Sequence, residues 1–342
     1  GARSATSFGE AASPTCILVR RLRSPTHKKC EFMTDMRTQK IPNMEVTPTK
    51  GDTYVPETPP DLPRSRCLSI WCGRKNQGKT TGCCSMIERM GYDRVLLCSP
   101  TAVSNAGMVK RLKIAPEDIF DPNEEGVMQR IIEVVEKERD EYELYVEQMK
   151  LWKKFMKQLN SNQSIFDIPE EHLTTFFEGG EFRKPQHKYG GRKPYLCCCF
   201  DDCLSSFLFT RDIRTLNSKV ILMRHIGELH NEPGALGLDM HFLTQAWKSN
   251  IGTLPPVIRN QCTVLAIFRT KSKVELKAIQ EECSGEVDES TFYEMYERCT
   301  SEPHGFMFID LYPKDTHPSQ YRKCLDTFII PEDKQISQPH SK

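Results

Sequence analysis

The chain has 342 residues, enough for one large or two ordinary domains with a real core. Apolar residues make up 38% and charged residues 27%, the balance of a soluble protein, while 22 prolines point to substantial loop or tail. A formal charge of +1 hides local patches and selects neither for nor against nucleic acid, and no run of about 18 apolar residues exists to make a conventional membrane span.

Residues 1–63 mix Ser, Thr, Pro and basic residues with scattered apolar positions, so a disordered or extended lead-in is expected. From Cys67 the character changes. "CLSIWCG" has strand length, a Gly-rich loop follows, "KTTGCCSMIERM" has helical spacing closed by Gly91, and "RVLLCSP" is a strand ended by Pro100. Strand, loop, helix and strand make a βαβ unit, which predicts a parallel sheet. Residues 122–159 are charged, with apolar positions at helical intervals, and predict one long helix or a hairpin of two. Residues 178–194 read as a mobile basic loop. Strands resume at "YLCCCF", "MHFLTQ", "CTVLAIF" and "HGFMFIDL", with helices expected at 204–209, 214–225, 273–283 and 288–299. The expected domain spans 64–330, with a helical insertion at about 121–190 and a flexible tail at 331–342.

Fifteen cysteines lie in apolar runs such as "YLCCCF", with no secretory segment before them, so buried free thiols are expected rather than disulfides. Neither Cys67 and Cys72 nor the group Cys197, Cys198, Cys199 and Cys203 has the paired C-x-x-C spacing of a zinc knuckle.

"GRKNQGKT" fits G-x-x-x-x-G-K-[ST], with strand before and helix after. Glycines let backbone N–H groups aim at phosphate oxygens, and the following helix offers its positive end. The expected nucleotide-binding set is Gly73, Asn76, Gln77, Gly78, Lys79, Thr80 and Thr81, with Lys79 on the β and γ phosphates and Thr80 on Mg²⁺. "KPYLCCCFDD" supplies the acids such a loop needs. Asp201 is the expected Mg²⁺ anchor and Asp202 the group that orients or deprotonates the attacking water, although Asp202 before "CLSSF" also fits a helix cap.

In "GRKNQGKTT", "CCFDDCLSS", "LMRHIGELH", "MHFLTQAW" and "LPPVIRNQCTVLAIFR", in this order over about residues 64–315, the sequence resembles the FtsK/HerA-type ATPases that package genomes in large double-stranded DNA viruses, including poxvirus-type packaging ATPases and relatives in virophages. The resemblance implies an α/β, RecA/FtsK-HerA-like P-loop NTPase with a central, mostly parallel sheet flanked by helices. It implies that Gln245 is a polar sensor of the attacking water or γ phosphate, a buried helix-capping Gln being the other reading. Arg224 and Arg259 become candidate arginine fingers; Arg259, in a Pro-rich loop, suits the subunit-facing role, and Arg224 the subunit contact or sensor loop. His225 and His230 have no supporting constellation and read as hydrogen-bonded structural residues. Trp247 is core or a pore-side contact. The helical insertion has no counterpart in the resemblance.

The resemblance further implies ATP and Mg²⁺ as cofactors, a homo-oligomeric ring, double-stranded DNA through a basic pore, and capsid or inner-membrane proteins as partners, in the host cytoplasm or virion. The basic residues Arg183, Lys184, Lys188, Arg192 and Lys193, with Lys271 and Lys273, are candidate DNA contacts. A monomeric P-loop kinase or small-substrate NTPase, using residues 121–190 as a lid, is the alternative. A non-hydrolysing scaffold is a third reading, opposed by the intact Lys79, Thr80, Asp201 and Asp202.

Overall fold

The computed structural model describes residues 55–101, 105–161, 170–178, 180–248, 254–285 and 287–331. The expected lead-in up to residue 54 and the expected tail from residue 332 lie outside the described residues.

Five consecutive buried residues make β1 (Leu68–Cys72), the pattern of a strand covered on both faces. The P-loop leads into α1 (Lys79–Met90), whose buried Cys83, Cys84, Met86, Ile87 and Met90 recur at helical spacing before Gly91 closes it in the left-handed region. Then follow β2 (Arg94–Cys98), α2 (Ala106–Leu112), β3 (Ile119–Phe120) and α3 (Val127–Asn160). The helical pattern is thus one helix of 34 residues, about 50 Å long, rather than a hairpin. Next come α4 (Glu170–Phe176), the small β4 (Phe177–Glu178) and β5 (Glu181–Phe182) pair, β6 (Leu196–Asp201), α5 (Phe207–Thr210), α6 (Ile213–Ile221), β7 (Asp239–Thr244), α7 (Pro256–Asn260), β8 (Val264–Phe268), α8 (Lys273–Cys283), α9 (Glu289–Thr300), β9 (Phe306–Asp310), β10 (Tyr321–Lys323) and β11 (Thr327–Ile329).

The nine-stranded sheet has the order β11-β10-β9-β8-β1-β7-β6-β2-β3. From β3 to β8 the six neighbours run parallel, and β9, β10 and β11 are added antiparallel at one side. This is the α/β architecture with a mostly parallel sheet that the sequence predicts. Strand alternation splits the core. Leu68, Ile70, Met240, Phe242, Leu265 and Ile267 face α3, α6, α7, α8 and α9, whereas Trp71, Cys197, Cys199, Ala266 and Phe268 face α1 and α2. Each such large side chain, fully buried, contributes roughly 1.5–3 kcal/mol. The described cysteines are all free, and all but Cys324 are buried. Burial pushes thiols such as Cys197 and Cys198 well up, leaving them protonated and unreactive.

The α1 face also encloses a polar chain. Tyr92 and Tyr195 hydroxyls donate to the Asp239 carboxylate at 2.8 and 2.7 Å, His241 lies 3.1 Å from the Tyr92 hydroxyl and 2.7 Å from Ser69 Oγ, and the Trp71 indole donates to that same Oγ. Burial pushes Asp239 up to about 6 and pulls His241 down to about 3. The signs oppose. Below its usual value near 6.5 the unfolded chain protonates His241 and the fold does not, so this group removes stability as pH falls towards 3; Asp239 takes up its proton earlier in the fold and adds stability between about 6 and 4. A His241→Gln variant keeps only the second effect. Its stability deficit relative to wild type, measured by urea unfolding, should shrink by about 1.4 kcal/mol per pH unit between roughly pH 6 and 4. A deficit constant with pH would show that His241 is not held neutral.

The described end of the lead-in, residues 55–63, is tied to the domain. Lys314 donates to the carbonyls of Thr58 and Pro59, Arg322 donates to that of Asp61, His317 bonds that of Pro60, and Leu62 is buried.

The basic loop before β6 is pinned by acids, most of them distant in sequence. Lys188 bridges Glu138 and Glu141 at 2.7 Å each, Arg192 pairs with Asp93, Lys193 with Glu232 at 2.9 Å, and Arg183 with Glu178 at 3.2 Å. Glu138 is fully buried, and Arg94 joins it to Asp118 with ion pairs of 2.6 Å on both sides. These pairs set the loop against α3 and β2.

Candidate active site

β7 lies between β1 and β6, so the P-loop, Gln245 and the acidic pair emerge at the carboxyl ends of three adjacent parallel strands. Ligands of open α/β sheets collect at that edge. The last carbonyls of β7 fix both neighbours: Thr244 O accepts from the Gly73 N–H at 3.1 Å and Leu243 O from the Asp202 N–H at 3.4 Å.

The loop's conformation explains its residues. A Cβ on Gly73 would lie 2.6 Å from Phe268 Cβ, so any other residue displaces β8. Asn76 and Gly78 have φ of 64° and 97°, the left-handed turn that swings the chain into α1. Gln77 closes the turn by accepting from the Arg74 N–H and donating to the Arg269 carbonyl. Its side chain therefore braces the loop. Gly78 caps α1 without a side-chain bond, and the first turn carries no acid, which leaves its N–H groups and positive end to an anion. The Lys79 ammonium folds back over the loop to the Arg74 carbonyl at 3.1 Å. Burial lowers its pKa, while the charges of Asp201 and Asp202 hold it up.

Asp201 ends β6 and accepts from Asn105 Nδ2 at 2.6 Å. Burial pushes its carboxyl up and Asp202 adds to this, against the Asn105 bond and Lys79. Such a site favours a cation beside it. Asp202 sits at φ 57°, outside regular structure, with Oδ1 accepting from Gln245 Nε2 at 2.9 Å. The cap of α5 is Ser206, so Asp202 serves no helix there. The Thr80 hydroxyl and the two carboxylates are hard oxygen donors of the kind Mg²⁺ takes, and they line one cavity.

That cavity, of about 1030 Å³, brings together Asn76, Gln77, Gly78, Lys79, Thr80, Thr81, Asp201, Asp202 and Gln245. Gly73 braces the loop from behind. The glycine-rich loop, the acidic pair and the glutamine thus share one pocket. Its remaining wall includes Arg89, Asn105, His304, Phe306, Leu325 and Asp326, none of which stands out in sequence. Asn105 follows a stretch without periodicity, and His304, whose ring lies 3.4 Å from a Cβ built on Gly78, precedes β9 by two residues. Asn105 stands at the head of α2, seven residues beyond β2.

The two arginines are not in the pocket. Arg224 lines a separate cavity with Val264, Asp310 and Tyr312, at the amino end of β8 and hence the opposite edge of the sheet. Arg259 is largely buried, its guanidinium 5.7 Å from the Trp247 ring and 3.3 Å from Glu282. Trp247 is fully buried, so it is core, and its indole donates to Glu282 at 3.0 Å. His230 is bonded by Glu143 at 2.7 Å and, where the sequence showed no constellation, its ring clusters with the Asp140 and Glu143 carboxylates, ligand atoms within 4.8 Å of one another.

No protein-family model matches the chain, and no curated protein does. Among solved structures, the chain is similar to the genome packaging NTPase B204 from Sulfolobus turreted icosahedral virus 2, in its AMP complex at 9% identity and a TM-score of 0.37 over 77% of this chain and 97% of that one. The AMPPCP complex of the same NTPase gives 10% identity and 0.36, over 74% and 94%. The cytoplasmic domain of the Thermomonospora curvata Type VII secretion ATPase EccC gives 14% and 0.31, over 81% of this chain and 29% of that one. No described helix is long and apolar enough to cross a membrane.

Proposed function

We propose that the chain is a Mg²⁺-dependent ATPase, the subunit of a ring motor that moves double-stranded DNA to package a viral genome, acting in the host cytoplasm or virion with capsid or inner-membrane proteins. The observation that carries the hydrolytic part is the convergence of Lys79, Thr80, Asp201, Asp202 and Gln245 on one cavity at the carboxyl edge of the sheet. Lys79 and the N–H groups of α1 take the β and γ phosphates, and Asp202, oriented by Gln245, receives the proton of the attacking water. Thr80 and Asp201 would hold Mg²⁺, which supplies charge neutralisation on the phosphate oxygens. The motif resemblance supports the work on DNA. Arg259, seated by Glu282, and Arg224, at the far edge of the sheet, both lie outside the pocket, so a finger role for either is directed at a neighbouring subunit's nucleotide.

No described residue between 121 and 190 lines the cavity, which gives the kinase reading, with that segment as a lid, no support. The test is phosphate release from ATP with Mg²⁺, with and without linear duplex DNA. Salt-sensitive stimulation by DNA is the expected result; hydrolysis indifferent to DNA would replace the motor with a small-substrate NTPase.

A further inference from the structure

The basic loop expected to touch DNA has most of its charge committed to internal acids, while a second basic surface is uncommitted. The first half of α3 packs on the sheet through Val127, Ile131 and Val135; near its far end Trp152, Phe155, Met156 and Leu159 form a small core of their own with Phe176 and Phe182. From Gln148 to Asn160 the helix contains no Asp or Glu, whereas Glu133 to Glu147 is acid-rich. Lys150, Lys153, Lys154 and Lys157 stand at i, i+3, i+4 and i+7, within an arc of about 100° opposite that small core. All four are exposed, and none forms an ion pair among the described residues.

We propose that this lysine face carries the sugar–phosphate backbone of double-stranded DNA against the subunit. The inference rests on the motor reading and names its contact surface. Charge complementarity selects the occupant: four ammonium groups along about 10 Å, with no acid and no apolar anchor inside the arc, fit an unbroken polyanion better than a folded protein surface. Lysines on flexible stems bind phosphates without reading bases, as a motor that must pass every sequence requires.

The test is binding of a short fluorescent linear duplex to the full chain, followed by anisotropy between about 50 and 200 mM salt. Wild type is compared with the combined Lys150→Gln, Lys153→Gln, Lys154→Gln and Lys157→Gln variant, and with one neutralised at Arg183, Lys188, Arg192 and Lys193. Wild type should lose about 100-fold more affinity across that salt range than the α3 variant, the counterion release of four phosphate contacts. An α3 variant with the wild-type salt slope overturns this assignment and leaves the motor standing. A wild-type chain that binds no duplex at low salt overturns both. If circular dichroism shows the fourfold variant misfolded, the Lys150→Gln, Lys154→Gln pair decides, with an expected difference of about tenfold.

Discussion

Lys79→Ala should abolish phosphate release, lowering turnover by about 10³ or more. The reasons are geometric and electrostatic. Lys79 opens α1, its ammonium folds back over the loop to the Arg74 carbonyl, and from that place it is the cation set to meet charge developing on the γ phosphate in the transition state. Burial already pulls its pKa down, so without nucleotide the ammonium is a cost to the fold. The variant should therefore melt no lower than wild type. Colorimetric phosphate release and a thermal melt check both halves, and near-wild-type turnover would remove the phosphate-cradle reading.

Asp202→Asn should leave nucleotide affinity within about threefold of wild type while turnover falls by about 10² to 10⁴, the usual worth of a positioned general base. Asparagine matches the aspartate in size, tolerates the left-handed backbone at φ 57°, and retains an oxygen to accept from Gln245. What it lacks is the capacity to take a proton. Titration with a fluorescent ATP analogue beside steady-state hydrolysis separates the two effects. Loss of binding together with turnover would make Asp202 a structural residue.

Much of this site was legible because its residues sit where element types change. β1, α1 and β2 follow from apolar runs punctuated by Gly73, Gly91 and Pro100, and the acidic pair from an apolar strand that stops at charge. The order of strands was not legible, since insertion of β7 between β1 and β6 depends on β1 pairing with a strand more than a hundred residues away. The three-residue strands β10 and β11 carry too few positions for any periodicity, yet their turn closes the pocket at Leu325 and Asp326. The basic loop misled for a related reason. Its charges look free because Asp93, Glu138 and Glu232 lie 99, 50 and 39 positions away from their partners.

Glu282 on α8 holds three groups at once: the Trp247 indole, the Lys248 ammonium at 2.5 Å and the Arg259 guanidinium. Trp247 is two residues beyond Gln245, and its own N–H is bonded by Glu275 of the same helix. A phosphate that drew Gln245 away from Asp202 would pull on a segment anchored to the carboxylate that seats Arg259. One acid on α8 thus ties the segment that follows the water-facing glutamine to an arginine outside the pocket.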